Sequence, residues 1–109
     1  MSALAIAADR QQPRQSINAL VRGNALMRDC QSQLSAERRS CLGYITGVID
    51  TMDTPGIRDA MRGVCPILRP GMEMGQVVDI VLRFLIENPQ MRDFPAVVSI
   101  MAALTEPCP

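Results

Sequence analysis

Four cysteines in a chain of 109 residues, Cys30, Cys41, Cys65 and Cys108, constrain this sequence more than any other feature. An even count in a short chain points to two disulfides formed in an oxidising compartment. Four cysteines allow three pairings, and spacing alone does not choose among them. Cys30 and Cys41 flank Ser35 and Ala36, the expected turn of a helical hairpin, and would face each other across it. Cys65 opens the turn CPILRPG (65–71), and Cys108 lies in a terminal Pro-Cys-Pro. A second hairpin, turning at 88–93, would bring those two together at its open end. The preferred pairing is therefore Cys30–Cys41 with Cys65–Cys108, and the chief rival is Cys41–Cys65 with Cys30–Cys108. The spacings contain no C-x-x-C, and the chain has no histidine, so a zinc site is a poor reading of the same residues.

The absence of histidine also removes the usual general base and the usual activator of a catalytic thiol. All eleven basic residues are arginine, which excludes a Schiff-base lysine; codon bias is the plain explanation. Eleven acidic residues balance them, and no basic cluster stands out, so nucleic acid is not an expected partner. No cofactor is expected. No apolar run reaches the ~18 residues of a membrane-spanning helix. The chain is 48% hydrophobic, with eight methionines and only Tyr44, Phe84 and Phe94 as aromatics. Its core is expected to be aliphatic, and the apolar surplus to be covered by a second copy in a homodimer.

Residues 1–8 read as the remnant of a secretory signal, with Ala-Ile-Ala at 5–7; a meaningless tail is the plain alternative. DRQQPRQ (9–15) is a flexible lead-in. The expected organisation is thus a lead-in over 1–15 and one helical domain over 16–109. Ser16 can cap a helix whose apolar face carries Leu20, Gly23, Met27, Cys30 and Leu34. Ser35 is a candidate cap for a second helix, with Cys41, Tyr44, Ile45, Val48 and Met52 on its large apolar stripe. Thr54-Pro55-Gly56 stops that helix, and a short amphipathic piece follows. A third long helix runs from about Glu73 to Glu87 and ends at Asn88-Pro89. Asp93 can cap a fourth, carrying Val97, Ile100, Met101 and Leu104. Nothing alternates like a strand. The fold class is all-α: a compact bundle of four to five helices with two disulfides.

Within CLGYITGVID (41–50), Gly43 and Gly47 each cost a helix about 0.5–1 kcal/mol relative to alanine. With Ser40 and Thr51 they form a small-residue stripe that would let another helix approach closely. Tyr44 supplies bulk, and its hydroxyl needs a polar partner. These are helix-packing roles. Partner binding is expected on exposed loops. The first candidate is NPQMRD (88–93), presenting Gln90, Met91, Arg92 and Asp93, with Arg92 as the anchor. The second is 53–62, with Arg58, Asp59 and Arg62. A solvated surface is the plain alternative for both.

CLGYITGVID, the Cys65-Pro66 turn, GQVVDIVLRFLIENPQMRDFPAVVSIMAAL and the terminal Pro107-Cys108 together closely resemble the Tai-type (resistance-associated) immunity proteins of type VI secretion. The shared positions are Cys41, Gly43, Tyr44, Gly47, Asp50, Cys65, Pro66, Gln76, Asn88, Pro89, Pro95, Ala96, Pro107 and Cys108, across roughly residues 24–108. Glu73 stands where the family carries a capping threonine, and the stretch from Cys65 to Gln76 is longer and richer in proline. The resemblance implies a periplasmic protein, often a homodimer, that catalyses nothing. It would bind a peptidoglycan amidase effector and occlude its active site with a protruding loop. A small periplasmic helical chaperone or stress protein is the alternative from another class.

Overall fold

The computed structural model describes residues 20–109; the expected lead-in at 1–15 and the Ser16 cap lie outside them. Five helices form among the described residues: α1 (Gly23–Gln31), α2 (Ser35–Met52), α3 (Pro55–Ala60), α4 (Met74–Glu87) and α5 (Ala96–Leu104). The all-α bundle is therefore present, with one addition. Strands β1 (Val64–Pro66) and β2 (Thr105–Pro107) pair antiparallel, placing Cys65 opposite Glu106. Three residues ending in proline carry no alternation to read. Their pairing is made by tertiary neighbours, since the Ile67 amide donates to the Leu104 carbonyl at 2.9 Å.

Both disulfides form in the preferred pairing, Cys30–Cys41 and Cys65–Cys108. They close segments of 11 and 43 residues. The chain-entropy model values such loops at about 3 and about 4 kcal/mol. The first staples α1 to α2; the second ties the end of the chain to β1.

The start of α1 is built by distant backbone rather than by a side-chain cap. Its first amides would otherwise lack partners. The Gly23 amide donates to the Phe94 carbonyl at 3.0 Å, and the Asn24 amide to the Arg92 carbonyl at 2.9 Å. Return contacts come from the Ala96 amide to the Val21 carbonyl at 2.8 Å and from the Arg22–Pro95 bridge. The helix is shorter than its apolar stripe suggested. Leu20 and Leu34 fall outside it and are 58% and 64% exposed.

Ser35 is the first helical residue of α2, not its cap. Leu34 takes the cap position without a side-chain bond, and Ser32 ties the chain just ahead of it: its hydroxyl accepts from the Leu34 amide at 3.0 Å and donates to Glu37 at 2.6 Å. Helix α4 starts with a capping box between Glu73 and Gln76, so glutamate replaces the capping threonine without loss of the motif. Asp93 does not cap α5. Pro95 occupies that position, and the Asp93 carboxylate accepts from Asn24.

The fully buried core is aliphatic and draws on every long helix: Leu26, Ile45, Val81, Leu85, Ile100 and Leu104 are at most 1% exposed. Ser99 is buried among them, and its hydroxyl has no partner among the described residues. No helix among the described residues is long and apolar enough to cross a membrane.

Candidate functional site

The 88–95 connection holds the first set of candidate binding residues. Asn88 ends α4 by donating its side-chain amide to the Phe84 carbonyl at 2.8 Å. A single 3-10 turn, Pro89–Met91, follows. Arg92 then folds back on the helix it follows. Its Nε donates to the Leu85 carbonyl at 2.8 Å and its Nη2 to the Ile86 carbonyl at 3.0 Å. A guanidinium at a helix C-terminus satisfies orphan carbonyls and meets the negative end of the helix dipole. Arg92 is half-buried, and it is a brace rather than the free cation that its loop position suggested. Met91 is also half-buried. Gln90 and Asp93 are exposed, although Asp93 is held through its carbonyl by Arg22 and through its carboxylate by Asn24. The connection is therefore a rigid turn clamped between α1 and α4.

The second set sits at the other end of the α4–α5 hairpin, where the ribbon lies. Arg58, Asp59 and Arg62 are all exposed. Arg58 projects from α3 and meets Asp53 at 3.4 Å, in a pair open to solvent and therefore of small value. Arg62 lies in a turn closed by the Val64 amide donating to the Met61 carbonyl at 3.0 Å, with Gly63 at a φ of 79°. No residue of α3 is fully buried.

The helix-packing residues line a third surface. Among the described residues, nothing lies within 4 Å of a Cβ built at Gly43 or at Gly47. No helix among the described residues uses the close approach they permit. The reason is geometric: the buried edge of α2 is Cys41, Ile45, Val48 and Met52, and the glycines fall on the edge facing away from it. They form the floor of an open hollow of about 410 Å³ with Tyr44, Thr51, Ile57 and Met101. Burial pushes the Tyr44 phenol up from its ordinary value, and a backbone hydrogen bond at Val97 offsets part of that rise. The close approach actually made is elsewhere. A Cβ at Gly23 would lie 2.9 Å from the Arg92 Cα.

None of these surfaces gathers an acid–base pair, and no cluster of metal-ligating side chains forms among the described residues. The surfaces suit protein contact. The family model of the Rap1a immunity proteins matches residues 22–109, nearly all of the described chain. The chain belongs to the Rap1a immunity protein family. No curated protein and no solved structure matches it.

As a Rap1a family member, the chain has immunity against a secreted effector as its role, and a cognate effector as its partner. The matched span opens at Arg22, one residue before α1. Two residues that line these surfaces were not among the expected binding residues. Met52, 2% exposed, forms a shared wall of the hollows on either side of α3. Arg69 joins Arg58 on the rim of a neighbouring hollow. The Pro70-Gly71 pair after it was the one available hint, because it marks a turn that would hold Arg69 outward.

Proposed function

We propose that this chain is a Tai-type periplasmic immunity protein that binds a peptidoglycan amidase effector of type VI secretion and occludes its active site. The observation that carries the reading is the immunity-family match across residues 22–109. The disulfides support an oxidising compartment such as the periplasm. The protein acts by occupancy, so rigidity matters more than chemistry. A loop that is already ordered loses less entropy when it enters a cleft. The 90–93 turn meets that need, because both of its ends are tied by hydrogen bonds. Gln90 and Asp93 are its outward contacts, and Arg92 holds its shape. Arg58, Asp59 and Arg62 form the second contact region.

The active form is a homodimer. The open Gly43–Gly47 face supports this, since no helix among the described residues covers its backbone and a helix of a second copy would fit there. An antiparallel α2 pair would set Gly43 of one copy against Gly47 of the other. The exposed Arg39 and Asp50, which share that helix face, would then meet in opposite order.

The test is titration of an amidase encoded beside this gene against the purified protein, with peptidoglycan hydrolysis as the readout. Stoichiometric loss of hydrolysis is expected. Undiminished hydrolysis at saturating protein overturns the amidase reading. Suppressed aggregation of unrelated unfolded proteins would instead favour the chaperone alternative.

A further inference from the structure

Three exposed arginines surround two adjoining hollows at the ribbon end of the molecule. The hollow of about 230 Å³ is lined by Arg58, Met61, Arg62 and Cys65. The second, of about 400 Å³, is lined by Arg58, Leu68, Arg69 and Ile49. Met52 and Pro66 belong to both, and Arg58 stands on the divide. The walls between the arginines are apolar.

Each flanking arginine is fixed by a β-turn. Arg69 begins Arg69-Pro70-Gly71-Met72, closed by the Met72 amide on the Arg69 carbonyl at 3.2 Å. Proline then glycine, with Gly71 at a φ of 92°, is the type II pattern. Arg62 is the first central residue of the 61–64 turn. That turn is held from behind, since the Cys108 amide donates to the Gly63 carbonyl at 3.0 Å and Cys108 is bonded to Cys65. The two guanidinium groups are thus carried on backbone that is already ordered.

The charges lining the hollows do not balance. Asp53 is the single carboxylate lining either hollow, and it pairs with Arg58. Arg62 and Arg69 have no carboxylate within 4.0 Å among the described residues. Along the lining itself three arginines therefore face one carboxylate, while Asp59 and Glu106 lie at the same end without lining either hollow. An apolar floor between unpaired arginines fits one class of partner well. Carboxylates take bidentate bonds from guanidinium groups, and a side chain between them fills the floor.

We infer that the Arg58–Arg62–Arg69 hollows dock an acidic loop of the effector, with an apolar side chain between two carboxylates. This rests on the immunity reading for the identity of the partner, but not for the chemistry of the surface. Arg69 thereby becomes a specificity residue, and association becomes sensitive to salt.

The chemistry is tested with blocked tripeptides Asp-Leu-Asp, Asn-Leu-Asn and Lys-Leu-Lys, titrated into the full protein at low salt and followed by amide NMR. Asp-Leu-Asp should shift amides of residues 58–69 and leave 88–95 unmoved. The other peptides should shift neither, and Arg62→Gln with Arg69→Gln should abolish the response. Equal shifts from all the peptides, or none from the acidic one, overturn the inference. The amidase is then bound to wild type, to the Gln pair and to Arg62→Glu with Arg69→Glu, with circular dichroism confirming the fold. At least tenfold weaker binding by the Glu pair is expected, from a slower on-rate. Equal binding by all forms overturns the docking surface and leaves the immunity reading standing. Binding of the acidic peptide without binding of the amidase upholds the surface chemistry and refutes the amidase as partner.

Discussion

Gly23 lies under the main chain of Arg92, so closely that a Cβ at Gly23 would come within 2.9 Å of the Arg92 Cα and 3.2 Å of its carbonyl oxygen. Backbone cannot step aside as the end of a side chain can. Gly23→Ala should therefore destabilise the fold by about 1–2 kcal/mol, overpacking outweighing the helix-propensity gain. Gly43→Ala and Gly47→Ala should do the opposite, because nothing among the described residues lies within 4 Å of either position. Each should gain about 0.5–1 kcal/mol. Urea midpoints of the three variants test the contrast. Gly47→Leu should leave the monomer folded and lower the dimer fraction in light scattering.

Arg92→Ala removes both guanidinium bonds to the end of α4. Bonds to a charged donor contribute about 1.5–3 kcal/mol each where buried, and this site is half open, so a loss of about 2 kcal/mol is expected. Gln90→Ala, on the same turn, should leave stability unchanged. If both variants unfold at the wild-type midpoint, the brace assignment fails.

Tyr44 is the sole tyrosine, and there is no tryptophan, so its ionisation can be followed directly by ultraviolet absorbance. Burial raises its folded value above the ordinary phenol value. The folded state then holds its proton longer than the unfolded chain does. Its share of stability is fully present below the ordinary value and is lost as pH climbs from there through the raised one. Titration of the native protein should give a midpoint above that in urea. Coincident midpoints would contradict it.

Ser99→Ala should stabilise the protein by about 1 kcal/mol, because it removes a buried hydroxyl that has no partner among the described residues and improves helix propensity. A loss of stability, measured by denaturant unfolding, would reveal a hydrogen bond that the hydroxyl makes.

Native mass spectrometry should show four hydrogens fewer than the reduced formula, since all four cysteines are bonded. Graded reduction should open Cys65–Cys108 first, because Cys108 is exposed whereas Cys41 is 2% exposed. Peptide mapping after alkylation reads the order. Release of Cys30 and Cys41 first would count against it.

Local pattern alone determined much of this protein. The helical class, the stops at Thr54-Pro55-Gly56 and Asn88-Pro89, and the preferred cysteine pairing were all legible. Each depends on near neighbours or on a hairpin whose turn is itself marked. The resemblance to immunity proteins was legible too, because order and spacing survive in one dimension. Tertiary structure decided which glycine is crowded and which arginine is free. Sequence singled out Gly43 and Gly47 by their spacing, yet the crowded glycine is Gly23, pressed by a residue 69 positions away. Arg92 looked like an exposed anchor, yet it closes α4, while Arg69, on a turn read from its prolines and glycine but not as a binding site, has no carboxylate partner among the described residues. Periodicity reports which face of a helix is apolar. It does not report which distant backbone will lie against that face, and contact of that kind sets both the crowding of a glycine and the freedom of an arginine.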